Sequence, residues 1–168
     1  MSAVPRLVEG EAVVRLVVNG EERRAIAEPR MLLCDFLRHE LGLTGTHVGC
    51  EQGVCGACSI RLDGELVRSC TLFAIQAEGA SIETVEGLAP GEDLHPVQQA
   101  YHEQHGLQCG FCTPGLLLAT VDLLERNPSP SEAEIRDYLA GNICRCTGYV
   151  GVVAAVQEAA RKLKAGGS

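Results

Sequence analysis

Cysteine is the residue type in this chain with the clearest capacity for chemistry, since nine cysteines occur among 168 residues. Four of them follow the pattern C-x4-C-x2-C-x11-C, at Cys50, Cys55, Cys58 and Cys70. The first three have the plant-type spacing of ligands to a 2Fe–2S cluster, whose fourth thiolate comes from farther along the chain. Glycines beside them let backbone amides approach the cluster sulfides closely, at Gly49, Gly53 and Gly56. A zinc site favours two paired C-x2–4-C arms, so this spacing predicts a 2Fe–2S cluster.

A second group of cysteines lies near the C-terminus, with a C-x2-C pair and a C-x-C pair, at Cys109, Cys112, Cys144 and Cys146. Each pair precedes a predicted helix, one beginning near Pro114 and the other near Tyr149. Helix N-termini present unpaired N–H groups and the positive end of the dipole, which stabilise a metal–sulfur anion. Because C-x-C is atypical of both kinds of site, the spacing leaves open a second 2Fe–2S cluster or a structural zinc ion.

The remaining residues with ligand chemistry favour ordinary structural roles. The ninth cysteine, Cys34, lies on the apolar stripe of a predicted helix beside Leu37, and is predicted to be a small buried residue. His102 and His105 are three residues apart with no second pair, which predicts a solvated helix face. His47 precedes the first group, but Rieske sites replace two cysteines with histidines, and four cysteines are present here.

The elements that must position the first group alternate between strand and turn signals. Residues 12–18 are rich in β-branched residues, and Asn19-Gly20 and Asp63-Gly64 are two-residue hairpin signals. A helix is predicted over 31–41, and short strands are predicted over 59–62, 66–69, 72–77 and 81–85. We therefore expect a small mixed sheet with one helix packed on it.

The second group belongs to a stretch with helical signals. A Pro- and Gly-containing segment predicts a linker over 87–95, between a first domain over 12–86 and a second over 96–165. Helix starts are predicted at Pro96, at Thr113 as N-cap with Pro114, and at Ser131, whose capping box includes Glu134. The last helix is predicted over 149–164, which makes four helices in the second domain.

Charge and composition exclude several classes of protein. The chain has 14 Lys and Arg against 22 Asp and Glu, a formal charge of −8, and no basic block. This balance argues against nucleic acid or an anionic membrane as a partner. Residues 1–11 carry no apolar region typical of a secretion signal, so we expect a cytoplasmic protein whose thiols hold metals. The chain has no nucleotide-binding fingerprint, which indicates that substrate chemistry takes place on partner subunits.

Three segments in this order resemble the iron–sulfur (small) subunit of the molybdenum hydroxylase (xanthine oxidase) family: GCEQGVCGAC at 49–58, QCGFCTPG at 108–115 and CRCTGY at 144–149. The likeness extends from about Val13 to Leu163. It implies an α+β fold, with an N-terminal β-grasp 2Fe–2S ferredoxin-like domain followed by a C-terminal four-helix 2Fe–2S-binding domain. The resemblance thus implies a cluster, and not zinc, at the second group.

The resemblance also implies partners and a direction for the electrons. A large subunit would carry a molybdenum–pterin cofactor, and a medium subunit would carry FAD. Electrons would pass from the molybdenum–pterin centre through the helical-domain cluster, then the ferredoxin-like cluster, to FAD. Gln108 and Cys146 would contact the pterin. The assembly would be a hetero-oligomer, with a dimer of heterotrimers as one form.

The substrate class is indicated only weakly by the resemblance. The loop Gln52-Gly53-Val54 is more similar to heterocycle- or aldehyde-oxidising relatives than to carbon monoxide dehydrogenases. We therefore expect an N-heterocycle or an aldehyde as the substrate of the complex. The alternatives are the small subunit of a carbon monoxide dehydrogenase and a free-standing ferredoxin or redox sensor.

Overall fold

The computed structural model describes residues 7–8, 10–89, 91 and 93–166. Most of the N-terminal segment in which no secretion signal was found, and residues 90 and 92 of the predicted linker, lie outside the described residues. The strands are β1 Leu7–Val8, β2 Glu11–Val18, β3 Glu21–Ala27, β4 Ser59–Leu62, β5 Glu65–Arg68 and β6 Ser81–Glu83. The helices are α1 Leu33–Asp35, continued by a π-helical turn Phe36–Glu40, then α2 Pro96–Glu103, α3 Thr113–Arg126, α4 Glu132–Tyr138 and α5 Val150–Gly166.

The strands form one mixed sheet in the order β1-β2-β6-β4-β5, with β3 also paired to β2. The pairing of β2 with β6 is parallel, and the others are antiparallel. Both predicted hairpins are confirmed, because Asn19 and Gly20 have φ of 52° and 82°, and Asp63 and Gly64 have φ of 49° and 85°. Positive φ at both central residues is the requirement of the type I′ turn. The predicted mixed sheet is therefore present.

The helix α1 and its π-helical turn cover one face of this sheet. Alternate residues of β2 are buried against Phe36 and Leu37, as the period of two requires. Gly42, with φ of 71°, follows the last turn, as predicted for a helix end. This packing forms the apolar core of the domain that carries the first cysteine group.

The strand predicted over 72–77 is wrong. Phe73 makes only an isolated bridge to Leu32, and Ala74–Ala77 is a 3-10 turn. The N–H of Ala74 donates to the carbonyl of Met31 at 2.9 Å, so the segment packs against the start of α1 instead of extending the sheet. Ala74 and Ala77 are both buried, a spacing of three that fits a turn and that period-two reasoning misses.

The helices α2–α5 pack around a second core that includes Val97, Tyr101, Leu116, Ile135 and Val152. The predicted capping box is confirmed: the N–H of Ser131 donates to Glu134 at 2.7 Å, and the N–H of Glu134 donates to the Ser131 hydroxyl at 3.3 Å. Thr113 is not the N-cap of α3, because Cys112 occupies that position and Thr113 begins the helix. In the part of the chain that the structure describes, no helix is long and apolar enough to cross a membrane.

Candidate metal centres

The first cysteine group lies where a glycine-rich loop returns to the sheet. Cys50, Cys55 and Cys58 belong to the loop between the π-helical turn and β4, and Cys70 lies in a short 3-10 turn after β5. Cys58 and Cys70 are buried, whereas Cys50 and Cys55 are half-buried. The backbone therefore brings these four predicted ligands together from two segments of the chain.

The loop stabilises negative charge on sulfur. The backbone N–H groups of Cys55 and Gln52 both donate to Cys50 Sγ at 3.4 Å, and they lower the pKa of the Cys50 thiol to about 6. Burial acts in the opposite direction on Cys70, and with a hydrogen bond to the Cys58 thiol it raises the pKa of Cys70 to about 11. The charges of Cys58 and Cys50 add to this rise in the pKa of Cys70, because the three thiols lie close together.

Glycine is required at particular positions of this loop. Gly53 and Gly56 have φ of 74° and 75°, in the left-handed region that glycine tolerates best. A Cβ on Gly56 would also lie 2.5 Å from the carbonyl oxygen of Gly141. A Cβ on Gly49 would lie 3.2 Å from Cys55 Sγ, so the backbone approaches the sulfur closely.

Cys34 lies against the first group without belonging to its loop. It is fully buried and packs in one cluster with Cys58 and Cys70, together with Leu32 and Val48. Burial raises the pKa of its thiol to about 12, and Asp35 adds to this effect. The prediction of a small buried residue is confirmed.

The second cysteine group lies on the turns that precede two helices. Cys109 and Cys112 come before α3, while Cys144 and Cys146 come before α5. Cys112 is buried and Cys144 half-buried, but Cys109 and Cys146 are exposed, with their Sγ atoms 3.5 Å apart. This group therefore has an inner pair and an outer pair of thiols.

The inner pair is polarised by its neighbours. Burial opposes ionisation of Cys144, but the Thr147 hydroxyl, which donates to Cys144 Sγ at 3.2 Å, and the Thr147 backbone outweigh it. The pKa of Cys144 is consequently lowered to about 7. Burial, followed by a hydrogen bond with Cys144, raises the pKa of Cys112 to about 12. Cys144 is thus the thiol of this pair that ionises more readily.

The arrangement of the thiols fits a cluster with two iron atoms. The thiols of the second group lie in pairs, Cys109 with Cys146 and Cys112 with Cys144. A 2Fe–2S cluster takes two thiolates on each iron, and the glycines and N–H donors of the first loop provide the close backbone approach that its sulfides need.

Hydrogen bonds connect the loops of the two groups directly. The backbone N–H of Ile143, the residue before Cys144, donates to the carbonyl of Cys55 at 2.8 Å. His47 Nδ1 lies 2.8 Å from the carbonyl oxygen of Phe111, and the His47 ring stacks on the Phe111 ring at a centroid distance of 4.9 Å. His47 thus bridges the two loops, a role that sequence reasoning missed because its partner is 64 residues away.

The other predicted residues lie at the surface. Gln108 is exposed beside Cys109, on the same outer side as Cys146, and its contact with a pterin stays a prediction. His102 is exposed on α2, as expected. His105 is also exposed, but it follows the end of α2 with φ of 52°, so its placement on the helix was wrong.

Two family models match this chain. The family model described as "2Fe-2S iron-sulfur cluster binding domain" matches residues 16–88, and that described as "[2Fe-2S] binding domain" matches residues 84–157. The chain therefore has two 2Fe–2S-binding domains, the first associated with the sheet and the second with the helices. The spacing of the second group left open a 2Fe–2S cluster or a zinc ion, and the match over residues 84–157 favours the cluster.

Relatives and a solved structure define the class of protein. The caffeine dehydrogenase subunit gamma of Pseudomonas sp. (strain CBB1) is 55% identical over 151 residues, covering 87% of this chain and 89% of that relative. The nicotine 6-hydroxylase small subunit of Paenarthrobacter nicotinovorans is 51% identical over 142 residues, covering 84% and 86%. The crystal structure of quinoline 2-oxidoreductase from Pseudomonas putida 86 has a TM-score of 0.90 at 48% identity, covering 94% of this chain and 99% of that chain.

With these similarities, the chain belongs to the iron–sulfur subunits of the molybdenum hydroxylase family of oxidoreductases. The α+β fold that the sequence predicted is confirmed.

Proposed function

We propose that this chain is the electron-transfer subunit of a heteromeric molybdenum hydroxylase-type enzyme. It relays electrons from a molybdenum–pterin centre on a large subunit to FAD on a medium subunit. When bound, each 2Fe–2S cluster accepts and releases single electrons, which divides a two-electron oxidation into two steps. The ligands of the first cluster are Cys50, Cys55, Cys58 and Cys70, and those of the second are Cys109, Cys112, Cys144 and Cys146.

The single observation that carries this proposal is the connection between the two cysteine groups. The hydrogen bond from the Ile143 N–H to the Cys55 carbonyl, at 2.8 Å, joins a residue bonded to Cys144 with a predicted ligand of the other group. It provides a short route between the two sites, almost all of it through covalent bonds. A chain with two unrelated structural metal sites needs no such connection.

The surface around the second group supports a relay that begins on a partner. The outer thiols, Cys109 and Cys146, are exposed beside Gln108, and exposed apolar side chains lie close to the second group along the chain, at Leu107, Phe111, Ile143 and Val150. Apolar exposure concentrated in this way indicates a protein interface. We assign this surface to the large subunit, with Gln108 and Cys146 facing the pterin. Val54 is 59% exposed beside Cys55, and we assign its side of the first cluster to the FAD subunit.

The substrate of the complex is an N-heterocycle or an aldehyde. Two similar relatives are named for caffeine and nicotine, and a similar solved structure for quinoline. All three compounds are N-heterocycles, which favours that class, while an aldehyde oxidoreductase of Megalodesulfovibrio gigas is 49% identical over 148 residues. We place the complex in the cytoplasm, because cysteines that hold metals are typical of a reducing compartment. We keep 12–86 and 96–165 as the domain limits, and a dimer of heterotrimers as one form of the assembly.

The test is affinity purification of the tagged chain from its native host, followed by metal and flavin analysis. We expect two further subunits, with molybdenum in the larger one and flavin in the other, and iron with labile sulfide in this chain. A chain that purifies alone with its clusters would be a free-standing ferredoxin or redox sensor. Zinc without iron would remove electron transfer altogether.

A further inference from the structure

Asn142 lies between the loops of the two cysteine groups and is 2% exposed. Its Nδ2 donates to the carbonyl of Gly56 at 3.1 Å and lies 3.4 Å from the Ser59 hydroxyl. Gly56 follows Cys55 in the chain, and Asn142 comes two residues before Cys144. One buried side chain therefore joins the segment beside Cys144 to the segment beside Cys55.

Arg68 reaches the same place from the first domain. Its Nη2 donates to the carbonyl of Gly141 at 2.7 Å and to Asn142 Oδ1 at 3.3 Å, and its Nη1 donates to the Ser59 hydroxyl at 2.6 Å. Arg68 ends β5 two residues before Cys70. The network therefore links segments beside three of the proposed ligands, and the charged guanidinium strengthens the hydrogen bonds that Arg68 donates.

The main chain of Asn142 is held from the opposite side. The Tyr149 hydroxyl donates to the Asn142 carbonyl at 3.1 Å and accepts from the backbone N–H of Cys144 at 2.7 Å. A Cβ on Gly115 would lie 3.1 Å from Asn142 Nδ2, so a larger residue at position 115 would crowd this side chain. The loop that carries Cys144 is therefore fixed relative to the loop that carries Cys55.

We propose that Asn142, supported by Arg68, is a positioning residue that sets the separation and coupling of the two clusters. It acts through the ligand loops, so its loss changes the communication between clusters more than the properties of either cluster. Electron tunnelling and magnetic dipolar coupling both fall steeply with distance, so a small displacement of one loop is measurable. This inference rests on the proposed function, because it assumes the eight assigned ligands.

The test uses the holoprotein, with both clusters reduced for EPR and both oxidised before photoreduction. We compare the wild-type protein with Asn142→Ala, Asn142→Ser and Arg68→Gln by low-temperature EPR, and measure electron transfer between the clusters after rapid photoreduction. Arg126→Gln is the matched control, because Arg126 also connects the two halves, through Glu65 at 2.8 Å, but at an exposed position away from the cysteines.

We expect Asn142→Ala to weaken the spin–spin splitting between the clusters and to slow electron transfer between them several-fold. Each cluster should keep its own g values and midpoint potential. Asn142→Ser should restore part of the splitting, Arg68→Gln should reproduce a smaller loss, and Arg126→Gln should match the wild type.

Unchanged splitting and an unchanged rate in a fully loaded Asn142→Ala protein would overturn the proposal while leaving two clusters, and hence the proposed function, in place. If Asn142→Ala loses a cluster, the test moves to Arg68→Gln, which should show weaker splitting and slower electron transfer with both clusters loaded. Loss of a cluster from both variants would overturn the proposal in favour of a role in cluster retention alone. Absence of two cluster signals from the wild-type protein would instead contradict the proposed function.

Discussion

The two cysteine groups differ in how far the chain itself encloses them. In the first group, two thiols are buried and two half-buried, and a glycine loop, a sheet and the fully buried Cys34 surround them. In the second group, Cys112 is buried behind the helix starts, but Cys109 and Cys146 are exposed. The first site is therefore largely enclosed by this chain, whereas the second has an open side, which is the side that we assign to the large subunit.

The largest effect that tests this comparison comes from removing one ligand in each group. Cys70→Ser should lower the iron content by half and the free energy of unfolding by about 4 kcal/mol, because a buried ligand packed against Cys34 and Cys58 is lost. Cys109→Ser should also halve the iron content but cost less stability, because Cys109 is exposed. Iron assays and denaturant titrations measure both. Equal losses of stability would contradict the distinction between an enclosed and an open site.

A second prediction concerns the contact between the two domains. A Cβ on Gly115, in the first turn of α3, would lie 2.2 Å from the carbonyl oxygen of Gly56. Gly115→Ala should therefore destabilise the protein by about 3 kcal/mol, as expected for overpacking, although alanine is normally the better helix residue. Gly166→Ala in α5, where nothing lies within 4 Å, is the control and should be neutral. A stabilising Gly115→Ala would refute the close contact.

A third prediction concerns a buried carboxylate at the edge of the same interface. Asp122 accepts from Arg126 Nε at 2.9 Å and from the Tyr138 hydroxyl, and it lies 3.9 Å from Arg61 Nε, while being 1% exposed. Asp122→Asn should lower the free energy of unfolding by about 2 kcal/mol, because hydrogen bonds to a charged group are lost. The iron content should not change. Glu65→Gln, at an exposed pair, should have little effect in the same denaturant titration.

The smallest effect is expected at Cys34. A substitution there tests whether the first site is closed to solvent. Cys34→Ala should cost about 1 kcal/mol and leave both clusters loaded. In the folded holoprotein, burial should protect Cys34 from alkylation, which mass spectrometry can follow against a denatured sample. Rapid modification of Cys34 before loss of iron would show that the first site is open to solvent.

Much of the site could be predicted from the sequence, because its signals are local. The spacing of Cys50, Cys55 and Cys58, the glycines among them and the Asp63-Gly64 turn all depend on neighbouring residues. The roles of Asn142 and His47 could not be predicted, since their partners Gly56 and Phe111 are 86 and 64 residues distant. Only the packing of the two domains brings these pairs together.

The errors in secondary structure have the same origin. Residues 72–77 alternate well enough for a strand, but a hydrogen bond from Ala74 to Met31 turns the segment toward α1. Thr113 has the side chain of an N-cap, yet the preceding turn makes Cys112 the cap and leaves Thr113 inside the helix. In both cases the surrounding structure outweighs the preference of the residues themselves.

Low-temperature EPR of the dithionite-reduced chain, with iron and sulfide analysis of the same sample, tests the central claim most directly. Two 2Fe–2S-binding domains require two iron atoms and two sulfides for each cluster, and two distinguishable signals of one unpaired electron each. Cys109→Ser identifies the EPR signal of the second cluster, because that signal should be lost from this variant. When a chelator is added to the isolated wild-type chain, the same signal should disappear faster than the other, because Cys109 and Cys146 are exposed. A single signal, or zinc in place of iron at either group, would contradict the account.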